Sequence, residues 1–506
     1  MTNQSLNRGR NTTLAAVIGT VLASYAGSAA ALDWEFENGA RLAWNTTLGV
    51  GASWRVNDPD KDLYHYSNGL ARGFTDGRGG SATDSNTLNY DSGDRFATPF
   101  TIVTDLELRK GGWGALVRAK AWYDAALEDG KVRLGHQNNN YNGQMELNNP
   151  AALGNACPRD SLGNFVCNRD QWPKAKLSDK GFEDEVKFSN VYLLDAYVYG
   201  SFGIGNSDLQ LRLGNQVVNW GESLFLPNVN QINPIDVPAA RRPGTQIKEF
   251  LLPVWMAYAN WGWNWGSVEA FYQFKWDNTA LDTCGLYWGP AEGVVGTDPA
   301  GCGSVTTFGS PFAWSNVVQQ STGAYFPAVK GEDAKDSGIW GAALRFPVNA
   351  IDTEFGVYYM NLHSTLPNVS SQVNSVPSES IFCANGGCAP YGLPDGTPIY
   401  LAAQDDPSGG GGLWTPTVLP LRNPAQLQAN IAAVNGTPIE VSHGFWEYAE
   451  DKQIIGLSAA TNLFIWSTSF ELSDQIDVPA QINGNDLVQA ALRLAGPAGS
   501  IAVAAR

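Results

Sequence analysis

The sequence predicts an all-β fold, an antiparallel transmembrane β-barrel of the outer-membrane type with about eleven recognisable strands. Three observations lead to this expectation. Apolar and polar residues alternate over many segments of about ten residues, as in strands with two different faces. Short and very long connections alternate between these segments, and outer-membrane barrels combine short periplasmic turns with long external loops. An export signal precedes the first segment.

The first 31 residues have the pattern of a secretory signal peptide. Arg8 and Arg10 precede a short apolar run, and the small residues Ala29 and Ala31 mark a cleavage site. An N-terminal membrane anchor is the alternative, but the apolar run is shorter than the roughly 20 residues that a spanning helix needs. We therefore expect export and a location in the cell outer membrane.

The composition favours strands and turns. The chain has 18 Trp, 18 Tyr, 21 Phe and 55 Gly, and only 16% of its residues are charged. No window of about 18 apolar residues follows the signal, so transmembrane helices are not expected. The net charge is −17, whereas a protein that binds nucleic acid needs a basic surface, so the charge argues against a nucleic-acid partner.

Residues 40–56 form the first predicted strand. Its even positions carry Trp44, Trp54 and aliphatic side chains, whereas its odd positions are small, polar or cationic. In a barrel the even face would contact lipid, with the tryptophans near the headgroups. The same alternation predicts ten further strands, at about 100–109, 113–123, 188–198, 209–217, 250–261, 267–276, 338–346, 353–363, 452–461 and 466–473.

The connections orient these strands. Five of them are very long, at about 57–98, 124–185, 220–249, 277–337 and 364–451, and short turns alternate with them. We assign residues 32–473 to a barrel with long external loops. A secreted β-helix or sandwich is the alternative, and neither explains the alternation, because a sandwich uses turns of similar length throughout.

The six cysteines lie in the long connections as three close pairs. In an exported chain such pairs predict local disulfides, Cys157–Cys167, Cys284–Cys302 and Cys383–Cys388. A zinc site is the alternative, but no histidine stands at ligand spacing from any pair. We expect no metal and no cofactor. The acidic stretch at Asp58, Asp60 and Asp62 lacks the glycine and closing glutamate of an EF-hand.

Charged residues at inward positions would line the lumen. Two interpretations remain open: a cross-strand ladder of opposite charges that rigidifies a filled interior, or a pore lining that sets selectivity. The inward set comprises Arg41, Arg55, Asp105, Glu107, Arg118, Lys120, Asp195, Arg212, Glu269, Lys275, Arg345 and Glu354.

The connection at 220–250 differs from the other long ones. It is shorter, has no cysteine, and is stiffened by prolines. We expect either a constriction folded into the barrel or an external lid. In the first case Arg241 and Arg242 would meet an anionic head group, with Glu222, Asp236 and Glu249 as alternative partners. The candidate constriction residues are Trp220, Glu222, Phe225, Arg241 and Arg242.

Residues 211–254, "LRLGNQVVNWGESLFLPNVNQINPIDVPAARRPGTQIKEFLLPV", resemble the DUF1302 family of uncharacterised proteobacterial proteins, as do "NVYLLDAYVYG" before them and "DVPAQINGNDL" near the end. The resemblance covers essentially the whole mature chain. It implies an outer-membrane barrel, with a second exported protein and a resistance-nodulation-division transporter as partners, besides outer-membrane lipids and lipopolysaccharide. It supplies no catalytic residues.

The C-terminal end departs from the family. Members run longer, and bacterial barrels commonly end on an aromatic strand residue, whereas this chain ends "AGPAGSIAVAAR". Eleven strands would also be an odd number, and single-chain bacterial barrels have even numbers. We therefore expect residues 474–506 to be an incomplete loop or strand of a truncated copy.

Three classes of function remain open. The first is a channel or transporter for hydrophobic or amphipathic small molecules, which the family's transporter association favours. The second is a structural or adhesive surface barrel. The third is an outer-membrane enzyme acting on lipids, which is disfavoured because no nucleophile–base, metalloprotease, phosphate-binding or dinucleotide motif occurs. We expect the protein not to be an enzyme.

Overall fold

Twelve strands form one antiparallel sheet, in which each strand pairs with the next of the twelve along the chain. The computed structural model describes residues 32–63, 78, 88–132, 176–177, 179, 182–223, 228–283, 285–289, 305–306, 325–326, 331–373, 442–463 and 465–481. Within these residues the predicted all-β, antiparallel architecture is confirmed. The described helices are all too short or too polar to span a bilayer.

The strands are β1 (Leu32–Glu35), β2 (Arg41–Val50), β3 (Ser53–Trp54), β4 (Arg95–Ala97), β5 (Pro99–Lys110), β6 (Trp113–Asp124), β7 (Ser189–Ile204), β8 (Ser207–Gln216), β9 (Val254–Trp263), β10 (Gly266–Gln273), β11 (Val305–Thr306), β12 (Tyr325–Phe326), β13 (Trp340–Val348), β14 (Thr353–Leu362), β15 (Asn368–Val373), β16 (Ser442–Glu447), β17 (Lys452–Leu463) and β18 (Trp466–Ile476). The main sheet has the order β1-β2-β5-β6-β7-β8-β9-β10-β13-β14-β17-β18. The other six strands form three separate pairs, β3–β4, β11–β12 and β15–β16.

Short turns join the strands at one end of the sheet. Residues 111–112 connect β5 to β6, and residues 205–206 connect β7 to β8. Gly111 and Gly205 have φ of 58° and 61°, values that tight hairpin turns require and that glycine adopts without strain. Long connections join the strands at the other end, so the predicted alternation of short and long connections is confirmed for the described strands.

The helices are short, and the three α-helices lie in the long connections. They are α1 (Ala125–Glu128), α2 (Val237–Arg241), α3 (Ile247–Phe250) and a 3-10 turn at Asn349–Ile351, which is part of the short β13–β14 connection. α2 and α3 belong to the connection between β8 and β9, which matters below.

The strand count differs from the expected eleven. β1 pairs with the start of β2, with Leu32 opposite Trp44, and makes the main sheet twelve-stranded in the described part of the chain. Four residues are too few for alternation to reveal a strand. The premise of an odd number is therefore wrong. β18 also continues to Ile476, three residues past the expected boundary at 473.

The first predicted strand is interrupted. β2 ends at Val50, and Ser53–Trp54 pair with β4 instead of the main sheet. A β-carbon on Gly51 would lie 2.5 Å from the carbonyl oxygen of Pro243. The chain that passes over the inner face therefore approaches the backbone where the strand ends. Arg55 consequently lies outside the main sheet, and its expected place on a barrel strand is wrong.

β7 contains a bulge that changes which residues share a face. Its register against β6 shifts between Val117 and Ala119, and the adjacent residues Leu194 and Asp195 are both buried. Before the bulge Leu193 points outward, and after it Val198 does. The predicted single face of Phe188, Tyr192, Leu194, Ala196 and Val198 is therefore wrong, because a bulge inserts one residue and reverses the alternation.

The two faces of the sheet have opposite character. One face carries the buried residues, including Met256, Tyr358 and Ile454, and packs against the β8–β9 connection. The other face exposes large apolar side chains, among them Val198, Leu213 and Leu457. We call these the inner face and the outer face.

The sheet is strongly curved around its inner face. The backbone of Val217 hydrogen-bonds to Asp195 of β7, and the backbone of Glu222 donates to Glu471 of β18. In a flat sheet these strands would be seven spacings apart, about 34 Å. The five residues from Val217 to Glu222 span at most about 18 Å when fully extended, and the side chains of Asp195 and Glu471 do not make up the rest of that distance. The strands must therefore bend towards one another.

Candidate functional site: the inner segment and the charged inner face

The connection between β8 and β9 crosses the concave inner face, and we call it the inner segment. Its described residues are 217–223 and 228–253. Two short helices organise it. The carboxylate of Asp236 caps α2 by accepting from the Ala239 amide at 2.8 Å, and Pro238 lies in the first turn. Gln246 and Glu249 form a capping box on α3.

Trp220 anchors the start of the inner segment in the core. Its ring is fully buried, with its centroid 5.0 Å from that of Phe271 and 6.0 Å from that of Tyr358. Its indole nitrogen donates to Glu269 at 2.7 Å. Trp220 is one of the candidate constriction residues, and the structure places its ring against core residues.

Glu471 of β18 holds the segment at one edge of the sheet. Its carboxylate accepts backbone N–H groups from Glu222, from Ser223 at 3.0 Å and from Val229 at 2.8 Å. The carboxylate of Glu222 itself accepts from the Ser458 hydroxyl at 3.3 Å. The side chain of Asn228 also accepts from the Ser473 hydroxyl of β18 at 2.7 Å, so both the backbone and a side chain fix the segment to β18.

A buried ion pair holds the middle of the segment. The ammonium of Lys120, on β6, lies 2.9 Å from the carboxylate of Asp236, and both side chains are almost fully buried. Lys120 also donates to the carbonyl of Glu249 at 3.1 Å. Because Asp236 caps α2 as well, this pair couples the helix to the sheet. Losing one partner of such a pair costs about 3–5 kcal/mol.

Arg241 has a partner that its neighbours in sequence did not suggest. Its guanidinium pairs with Asp282, beyond β10, and lies over the ring of Trp288 at 5.4 Å. Burial raises the pKa of Asp282 to about 6, although Arg241 opposes that shift. The nearby carboxylates that were expected to pair with the arginines have other contacts: Asp236 pairs with Lys120, and Glu249 caps α3.

Arg242 lies beside Arg241 but contacts other groups. Its guanidinium is 5.0 Å from the ring of Trp122, and it donates to the carbonyl of Glu185 at 3.3 Å. Both arginines therefore contact protein groups at the long-connection end of the sheet.

A chain of opposite charges crosses the strands of the inner face. Arg118 donates to Asp105 at 2.6 Å and to Asp195 at 2.7 Å, joining β5, β6 and β7. Lys248, on the inner segment, reaches Asp105 at 3.3 Å. Arg345 pairs with Glu269 at 3.0 Å in the same way. At these residues the structure has the cross-strand ladder that was one of the two expectations.

Glu107 and Tyr199 form a second polar group near the short turns. Glu107 pairs with Arg109 at 2.7 Å and accepts from the Tyr199 hydroxyl at 2.7 Å. A β-carbon on Gly114 would lie 2.3 Å from the Tyr199 ring. The glycine on β6 therefore lets that ring lie across the sheet and reach β5.

Arg212 is different from the other inner-face arginines. Its guanidinium lies over the ring of Tyr258 at 4.6 Å and is 6.0 Å from the ring of Tyr197. No carboxylate of the described residues forms an ion pair with it. It borders a cavity of about 480 Å³ that also touches Glu107, Arg109, Tyr199 and Gln210.

The remaining expected residues lie apart from this centre or outside the described residues. Arg41 pairs with Asp33 at the β1 edge. Arg55 donates to the carbonyl of Asn57 at 2.6 Å and lies over Tyr287. Lys275 lies just beyond the end of β10, 4.0 Å from the carboxylate of Asp277. Glu354 lies near the start of β14, 3.8 Å from the guanidinium of Arg345. Phe225 and all six cysteines lie outside the described residues, so the three disulfides stay predictions.

No group of three or more histidine, cysteine, aspartate or glutamate side chains in the described ranges is arranged to hold a metal ion. Compared with curated proteins, the chain has no match. A family model does match it, from residue 12 to residue 503, and so covers the whole main sheet, the inner segment and the charged inner face. The chain therefore belongs to the family described as "Protein of unknown function (DUF1302)".

Proposed function

We propose that this protein is an outer-membrane β-barrel that passes hydrophobic or amphipathic small molecules through its interior. The observation that carries the membrane part of the proposal is the outer face. Large apolar side chains there are about half exposed, including Val198 at 51%, Leu213 at 48% and Leu472 at 58%. Soluble proteins rarely expose an apolar surface that continues over so many strands.

Aromatic side chains flank this apolar surface at both ends of the strands. Near the short turns, Trp113 packs on Phe202 at 5.2 Å and Trp261 on Trp263 at 4.6 Å. Near the long connections, Trp340 contacts Tyr359 at 5.5 Å. Trp255 and Trp261 are six positions apart on β9, about 20 Å along the strand. Outer-membrane barrels have an apolar band about 25 Å tall between two aromatic girdles.

Charges are confined to the margins of the outer face in the strands that the structure describes. By register, Lys110 stands at a hairpin end, and Asp474 stands near the end of the edge strand β18. An arginine or lysine at the bilayer midplane costs about 2–4 kcal/mol, and no described strand carries one there. Lipid is the solvent that this distribution fits.

The inner face supports passage of small molecules with polar groups. It carries paired charges and tyrosines, and it borders the cavity near the short turns. The inner segment fills the space near the long connections and is fixed by Lys120 and Glu471. A fixed segment across a polar interior would serve as a constriction, which narrows a passage and selects what enters.

The alternatives are a structural or adhesive surface barrel and a lipid-acting enzyme. The long connections on which adhesion would depend lie mostly outside the described residues. We propose a non-enzymatic role. Export by residues 1–31, the outer-membrane location and the partners implied by the family resemblance are part of this proposal.

Reconstitution of the full chain in liposomes tests the proposal. Entry of an amphipathic sulfonate that does not cross lipid alone would be compared with entry of a neutral sugar, using protein-free liposomes as the control. We expect faster entry of the sulfonate with protein present. Entry of both solutes at the protein-free rate, from a folded and inserted protein, would contradict the transport role.

A further inference from the structure

We propose that Arg212 and the tyrosines around it form a binding site for a small organic carboxylate on the inner face. The proposal rests on the proposed function only for access, since it needs an interior that solutes can enter. It concerns a different place from Arg241 and Arg242, which contact Asp282, Trp288 and Trp122.

The charge balance of the described inner face is the first argument. Arg118 has two carboxylates, Arg345 pairs with Glu269, and Arg109 pairs with Glu107. Among the described residues, Arg212 has aromatic rings at 4.6 Å and 6.0 Å instead of an ion-pair partner. Stacking on a tyrosine face leaves the N–H groups in the guanidinium plane available to a bidentate acceptor, and a carboxylate has the matching geometry.

The position of these rings is built into the strands. Arg212 stands directly between Tyr199 of β7 and Tyr258 of β9 in the sheet register. Tyr258 is held by its hydroxyl, which donates to Glu269 at 2.8 Å. Because Glu269 also accepts from Trp220, the ring on which Arg212 stacks is connected to the anchored start of the inner segment.

The cavity supplies the room. Its volume of about 480 Å³ falls in the range of small-molecule sites, about 300–1,000 Å³. Tyr197, Tyr199 and Gln210 border it together with Arg212. The carboxylate would bind the guanidinium, and an aromatic or cyclic body would lie against the tyrosine rings.

Equilibrium binding to the purified full chain in detergent tests this site without any transport step. Benzoate is the probe, and benzamide is the neutral molecule of the same shape. We expect benzoate to bind roughly tenfold or more tightly than benzamide, because a hydrogen-bonded charge is lost with the amide. The Arg212→Gln variant should lose that preference, and Arg212→Lys should keep part of it.

Lys335→Gln is the control, because it removes a cation that lies before β13, at the long-connection end of the sheet, and pairs there with Asp451 at 2.6 Å. It should bind benzoate as the unchanged protein does. Absence of benzoate binding to the folded protein, equal binding of both probes, or undiminished preference in folded Arg212→Gln would overturn the site. Failure of liposome entry with benzoate binding intact would count against transport alone.

Discussion

The two halves of the interior differ in how their charges are satisfied. Near the long connections the inner segment occupies the space, and Lys120, Asp236 and Arg241 each meet a charged partner of the fold. Near the short turns a cavity remains, and Arg212 faces it from between tyrosine rings. The contacts of the first half hold it in one arrangement, and the second half has the space that the proposed carboxylate site requires.

The largest expected effect comes from breaking the buried pair in the filled half. Lys120→Met leaves the Asp236 carboxylate buried without its cation, which should lower the free energy of unfolding by about 3–5 kcal/mol. Denaturant titration of the folded protein in lipid vesicles measures it. The double variant Lys120→Met, Asp236→Asn should recover much of the loss, because the asparagine keeps the cap of α2 without a charge. Equal losses in both would show that the pair is not the cause.

A charge on the outer face should cost nearly as much. Leu213→Arg on β8 places a cation among exposed apolar side chains, and we expect a loss of about 2–4 kcal/mol in lipid vesicles. Gln210→Arg, on the inner face of the same strand, is the matched control and should cost far less. Similar losses for the two variants would mean that the faces do not differ in their surroundings.

A smaller effect is expected where the inner segment is held by β18. Glu471→Ala removes the acceptor of three backbone N–H groups that are exposed or only partly buried, so water can replace the carboxylate and we expect a total loss of about 1–3 kcal/mol. The segment should loosen, and single-channel conductance should rise. Asp474→Ala, on the opposite face of β18, should leave conductance unchanged. Unaltered conductance in folded Glu471→Ala would show that the clamp does not control the passage.

The smallest effect concerns pH. Burial raises the pKa of Asp282 to about 6, so the folded state holds a proton there that the unfolded chain has already released. This contribution to stability is full below about pH 4 and is lost as the pH rises towards about 6. The midpoint of thermal unfolding should therefore fall less between pH 4.5 and 7 in Asp282→Asn than in the unchanged protein. Identical pH profiles would contradict a raised pKa.

Much of the sheet could be predicted because alternation depends on neighbours in sequence. The strands around Trp113, Leu211 and Val357 follow it along their length, and glycines such as Gly111 mark the tight turns. The bulge at Leu194 and Asp195 could not be predicted this way. Inward and outward residues alternate regularly both before and after it, and only the pairing of β7 with β6 reveals the shift between the two parts.

The contacts of the candidate site depend on residues far apart in sequence. Asp236 pairs with Lys120 across 116 positions, and Arg241 donates to Asp282 across 41. Local sequence suggested Glu222 and Glu249 instead. The prolines did indicate that residues 220–250 are stiff. The strands that the segment contacts could not be predicted, because they are brought together by the curvature of the main sheet.

The central claim is that the outer face of this sheet contacts lipid and the inner face does not. Photolabelling of the reconstituted, unmodified protein with a lipid-soluble carbene reagent, read by mass spectrometry, tests it directly on β8. The account predicts labelling of Leu211 and Leu213, with Gln210 and Arg212 unlabelled. Equal labelling of the two sets, or labelling of Gln210 and Arg212 alone, would contradict it.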